Sequence, residues 1–113
     1  MAHGDVKRCV ESCGIRAAHY AFVAGSAPPL PWAVYYQDEE SALFADGTNY
    51  VRKTRWVVEL YQKTRDSELE MAVEDAILRD FGPFRRYESW ISDENCLMVA
   101  YHFTEIERRK QNG

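Results

Sequence analysis

The chain has 113 residues, 46% of them hydrophobic and 28% charged, and a formal net charge of −4 at pH 7. That length holds one domain with a core of its own, and the acidic balance opposes a general nucleic-acid-binding surface, which needs a basic face. No apolar run approaches the ~20 residues of a membrane helix, MAHGDVKR lacks the apolar stretch of a secretory leader, and three cysteines make no closed set of bridges, so the expectation is a globular protein of a reducing cytoplasm without membrane contact.

In chain order, Asp5 is placed to cap a first helix, in which Val6, Cys9, Val10 and Cys13 recur at i, i+3, i+4 and i+7 and Gly14 is the stop. Ile15 to Phe22 reads as a strand. APPLPWAVYYQ, residues 27–37, begins with prolines that forbid helix and remove donors, so an extended connection or sheet edge leads into a strand from Trp32 to Gln37. Aromatic residues fall on both faces of that strand, which calls for cover on two sides. Asp38-Glu39-Glu40 reads as an acidic turn or strand end, followed by a short segment through Leu43 and Phe44, and Asp46-Gly47 is a hairpin signal.

Tyr50 to Gln62 is the clearest strand: Tyr50, Trp56, Val58 and Leu60 make one mostly apolar face, while Lys53, Arg55 and Glu59 put charge on the other. Asp66 to Asp80 reads as a helix, with Asp66 as N-cap, acids in the first turn and a stripe of Leu69, Ala72, Val73, Ala76 and Ile77. Gly82-Pro83 ends it. Phe84 to Ile91 and Cys96 to Ile106 form a final hairpin, and Arg108-Arg109-Lys110 belongs to a flexible basic tail beyond an ordered core of residues 5–106. The implied class is a single α+β domain: an antiparallel sheet, with a mixed one possible, of about five strands and two helices packed mainly on one face. Two helices cannot cover both faces, so a second copy or another protein is expected to cover part of the sheet.

Chemistry is scarce along the chain. Cys9 and Cys13 share a helix face and, with His19 or His102, are the best metal candidates, but they lie on the apolar stripe and complete no tetrahedral set. No serine sits in a nucleophile elbow and no glycine-rich loop cradles phosphate. Glu70, Glu74, Asp75 and Arg79 read as a solvated helix face. The expectation is no enzyme, no metal and no cofactor.

The succession APPLPWAVYY, LFADGTNYVRKTRWVVELYQKTRDSELE and FRRYESWISDENCLMVAYHFTEI resembles the small tail terminator, or tail completion, proteins of the neck of long-tailed phages and prophages. The resemblance runs from about Gly14 to Ile106, and its specificity lies in order and spacing rather than in any catalytic signature. It implies a virion protein, assembled in the bacterial cytoplasm, that forms a ring, commonly a hexamer. Such a ring sits on the last layer of tail-tube protein, ends tube growth and faces the head-side connector, with DNA only in transit. On that footing Asp38, Glu39, Glu40, Phe44 and Asp46 would reach a neighbour or the tube, and Arg52, Lys53 and Arg55 would supply complementary charge. Another head–tail joining or head-completion protein, and a small-ligand-binding or regulatory α+β domain, remain alternatives.

Overall fold

A computed structural model of the chain describes the backbone of residues 3–23, 25–44 and 49–110, and the side chains of residues 5–23, 25–38 and 51–107. The elements in order are α1 (His3–Glu11), β1 (Arg16–His19), β2 (Trp32–Phe44), β3 (Asn49–Gln62), α2 (Ser67–Asp80), β4 (Phe84–Ile91) and β5 (Cys96–Lys110). The five strands form a sheet in the order β1-β2-β3-β5-β4. All neighbours run antiparallel except β1 and β2, which are parallel. The sheet is therefore mixed. A parallel neighbour needs a long return path, and residues 20–31, stiffened by Pro28, Pro29 and Pro31, provide it, with no helix among their described residues.

Several boundaries differ from the sequence reading. Asp5 lies inside α1 and pairs with Arg8 at 3.2 Å, so it is a first-turn acid and not the cap. β1 stops at His19 because Tyr20 turns into the left-handed region at φ 68°. Most consequentially, Asp38-Glu39-Glu40 is not a turn or a strand end. A register shift between Gln37 and Glu39 lets β2 run on to Phe44, with Glu39 at the level of Arg55, Glu40 at that of Thr54 and Ser41 at that of Lys53. Likewise β5 continues through Arg108, Arg109 and Lys110, which pair with Val51, Tyr50 and Asn49. The hairpin residues Asp46 and Gly47 lie outside the described residues, although Phe44 and Tyr50 on either side are paired.

Both helices pack on one face of the sheet. Val6, Cys9 and Val10 of α1 and Val73, Ala76 and Ile77 of α2 close over Ala33 and Tyr35 of β2, Trp56, Val58 and Leu60 of β3, and Val99, Tyr101 and Phe103 of β5. The alternation of Leu97, Val99, Tyr101 and Phe103 toward that face is as the sequence requires.

The ends of α2 are built from its own sequence. The Asp66 carboxylate accepts the Leu69 N–H at 3.1 Å, and the Phe81 and Gly82 N–H groups both donate to the Ile77 carbonyl, at 2.8 and 3.0 Å. Gly82 has φ +121°, a conformation other residues rarely adopt. An Asp66→Ala variant is expected to lose about 1 kcal/mol, read as a fall of roughly 4 °C in melting temperature by circular dichroism. An unchanged midpoint would show that the cap contributes nothing.

Glu70 and Glu74 are not a solvated face. Glu70 is 5% exposed and accepts hydrogen bonds from Gln62, Arg65 and Arg86, and Glu74 accepts from the Tyr101 hydroxyl at 2.9 Å. Arg79 pairs with the adjacent Asp80, at 2.9 Å. The i,i+4 spacing on a helix speaks only to neighbours on that helix, whereas the partners of Glu70 and Glu74 come from the sheet and from the loop before α2.

Candidate interaction surface

The sheet face away from the helices carries Trp32, Val34 and Tyr36 of β2, Arg55, Val57, Glu59 and Tyr61 of β3, Met98, Ala100, His102, Thr104 and Ile106 of β5, and Arg85 and Tyr87 of β4. Neither helix covers it, yet Val34, Val57 and Ala100 are buried. Their cover is local. Glu59 accepts the hydroxyls of both Tyr36 and Tyr61 at 2.8 Å, which draws the two rings together across the strands above Val34 and Val57. Burial and then the Glu59 carboxylate push Tyr36 up to about 12 and Tyr61 higher still, so both remain protonated donors at neutral pH.

The proline-bearing connection supplies part of the rest. Phe22 meets the edge of Trp32 with ring centroids 5.1 Å apart, Trp32 lies 4.8 Å from Tyr61, and Tyr20 stacks on Tyr36 at 6.1 Å. The two-sided aromatic pattern of β2 is thus served by the helices beneath Tyr35 and partly by its own incoming connection over Trp32 and Tyr36. Trp56, by contrast, belongs wholly to the helix face.

Beyond this patch β2, β3 and β5 run on together as a three-stranded arm. β1 pairs with β2 only from Trp32 to Tyr35, and β4 pairs with β5 only from Phe103 back to Cys96. Among the described residues, Gln37–Phe44 on one side and Thr104–Lys110 on the other therefore have a strand neighbour on their inner side alone. The molecule is elongated to match, with extents of 52 × 28 × 23 Å. Unpaired edges of this length present rows of N–H and C=O groups ready for another strand.

The sequence-nominated residues all fall on this arm or just outside the described residues. Asp38 sits at the β2 bulge with its carboxylate 3.8 Å from Arg55, both half exposed, a pair of small energetic weight. Glu39 is opposite Arg55, Ala42 opposite Arg52, Ser41 opposite Lys53, and Phe44 opposite Tyr50. Acidic and basic groups expected to meet between subunits are thus neighbours across one strand pair. Asp46 lies outside the described residues.

Sequence reasoning missed a groove of about 780 Å³ where β4 begins and the β5 edge becomes free. Phe81, Phe84 and Phe103 are among its apolar lining, and Arg55, Arg85, His102 and Thr104 bring polar groups to it. Tyr87 stands edge-on to His102 with centroids 5.0 Å apart. The signal was present in FRRYESWI, whose alternation sends Arg85 and Tyr87 to the open face, but nothing in one strand's alternation says that its neighbour outruns it.

The metal candidates do not converge. Cys9 is in the helix-side core, its thiol pushed up to about 12 by burial and then by Asp80, while His102 is on the opposite face of the sheet. His19 lies at the end of β1 against Tyr20 and Tyr35. Among the described residues no three His, Cys, Asp or Glu side chains are grouped as a metal site. Cys9, Cys13 and Cys96 are free thiols. No helix among the described residues is long and apolar enough to cross a membrane.

No protein-family model matches the chain, and no curated protein matches it significantly.

Proposed function

We propose that the chain is a structural protein of the neck of a long-tailed phage or prophage. In this reading it forms a ring that caps the tail tube, ends tube growth and offers a surface to the head-side connector. The observation that carries the proposal is the three-stranded arm, whose two free edges lie on opposite sides of one subunit. A subunit with two different edges that lack a second strand neighbour among the described residues is suited to head-to-tail contacts, and such contacts give a closed ring when the rotation closes. The resemblance in the order of segments from Gly14 to Ile106 supplies the biological setting, and the net charge of −4 suits a channel wall to which DNA should not adhere.

The test is deletion of the gene in the parent phage or prophage, followed by electron microscopy of the induced lysate. Tails of uncontrolled length beside filled, tailless heads are expected. Tails of normal length that fail to attach would move the protein to a head–tail joining role. Intact particles in normal numbers would remove the neck assignment altogether.

A further inference from the structure

The ring reading leaves open which surfaces meet, and the two free edges of the arm differ in a way that answers it. The β2 edge opens with Asp38-Glu39-Glu40. The β5 edge opens at the groove, where Arg85 is exposed and, among the described residues, forms no ion pair. It ends in Arg108-Arg109-Lys110. The acids on this edge are accounted for within the chain: Glu105 turns to the helix face, where Trp56 donates to it at 3.4 Å, and Glu107 stands opposite Arg52.

We infer that the β2 edge of one copy, from Gln37 to Phe44, adds to the β5 edge of the next, from Thr104 to Lys110, with Asp38 and Glu39 arriving at the groove beside Arg85. The occupant of the groove is a second copy of this chain, and the inference rests on the ring reading above.

Direction and level follow from the sheet. β2 and β5 are both antiparallel to β3, so they run the same way. Copies related by rotation about an axis along the arm therefore meet in parallel. Within one subunit Glu39, Arg55 and Thr104 lie on one level across β2, β3 and β5, and Arg85 pairs with His102 just before it. A ring without axial rise sets equal levels side by side. That brings the acids of one copy to the Thr104 level of the next, next to Arg85, which forms no ion pair among the described residues. The two-fold alternatives are disfavoured: β2 against β2 sets acids against acids, and β5 against β5 sets Arg108-Arg109-Lys110 against itself. Strand addition supplies the main-chain bonds, and the charges fix the partner and the register.

The experiment measures the oligomer distribution of the full chain by sedimentation velocity and native mass spectrometry over a concentration series. It compares wild type with Asp38→Arg, Arg85→Asp and the doubly substituted chain. Each single reversal is expected to raise the concentration needed for assembly by about tenfold or more at low salt. The double substitution restores assembly to within about threefold of wild type, because the contact between copies then holds the same pair with its signs exchanged, while the loss of the Asp38–Arg55 pair inside each chain is shared with the single Asp38→Arg variant. Circular dichroism confirms that each variant is folded, and Arg85→Gln serves if Arg85→Asp is not. Wild-type rings that neither reversal weakens, or a double variant no better than the weaker single, overturn the β2-to-β5 contact while leaving a ring in place. A wild type that stays monomeric at about 1 mM, where contacts of ~4 kcal/mol already register, overturns this contact as well, and the deletion phenotype then judges the neck role by itself.

Discussion

Replacing Trp56 by alanine is expected to cost about 4 kcal/mol of folding stability and to lower the melting temperature by roughly 17 °C, taking the ~2.1 cal/mol/K per residue of unfolding entropy usual for small domains. Trp56 is 1% exposed in the middle of β3, beneath the helices, between Gln37 of β2 and Phe103 of β5 in the sheet and 6.3 Å from the Tyr35 ring. Its loss opens a cavity at the root of the arm, where sheet and helices meet and little can collapse into the space. A loss below about 1.5 kcal/mol in urea titration would mean that the site relaxes and that Trp56 is no keystone.

The indole also does a polar task that alanine cannot separate from packing and phenylalanine can. Its Nε1–H donates to Glu105 at 3.4 Å. Burial raises the Glu105 carboxyl above the ordinary carboxylate range, and the Trp56 bond partly opposes that rise. The folded-state value lies above the unfolded one, so between the two the folded chain holds more proton. Stability from this group is full below the unfolded value and falls as pH rises through the folded one. Trp56→Phe removes the opposing bond and pushes the folded value up further. The stability difference between Trp56→Phe and wild type is therefore expected to be larger at about pH 7.5 than at about pH 5, where Glu105 is nearer protonation in both. A difference that does not change with pH would show that the indole N–H has no hold on Glu105.

What could be read from the sequence was what each element settles by itself. The second helix was legible because its signals are local: Asp66 to cap it, a stripe at helical spacing and Gly82-Pro83 to stop it. The inward set of β5 was legible from its alternation alone. The misreadings lie where a residue's fate depends on another element. Three consecutive acids look like a turn until Glu39 and Glu40 are placed in register with Arg55 and Thr54. β1 gives no sign in its four residues that it will pair in parallel with β2. The nominated charges form an acidic run on β2 and a basic one on β3, and their being cross-strand neighbours is a matter of register. Arg85 became a site residue only because β4 begins at the Phe103 level while β5 continues past it.

Glu70 is the sharpest case of this dependence, and Glu70→Ala is expected to cost about 3 kcal/mol, the lower end for breaking a buried ion pair, and roughly 13 °C in melting temperature. Its carboxylate takes the Gln62 side-chain amide of β3 at 3.0 Å, Arg65 of the preceding loop at 3.0 Å and Arg86 of β4 at 2.6 Å. The same groups bind onward. Gln62 accepts the Asp66 N–H at 2.8 Å, Arg86 reaches Glu74 at 3.3 Å and Glu88 at 2.6 Å, and Arg65 also pairs with Glu88. The first turns of α2 are thereby fastened to β3 and β4 at once. Without the carboxylate, Gln62 loses the acceptor for its amide in a buried setting, while Arg86 keeps two exposed or half-buried acids; that residue of pairing is why the lower end applies. Two measurements set this apart from a surface ion pair. About 0.5 M salt should leave most of the Glu70→Ala loss in place, since the Glu70 carboxylate is buried and its Gln62 bond is not screened, while it erases any effect of breaking the half-exposed Asp38–Arg55 pair. A double-mutant cycle of Glu70→Ala with Arg86→Ala should return a coupling of about 2 kcal/mol. If the two losses simply add, the network is a set of independent contacts, and α2 is held by its apolar stripe alone.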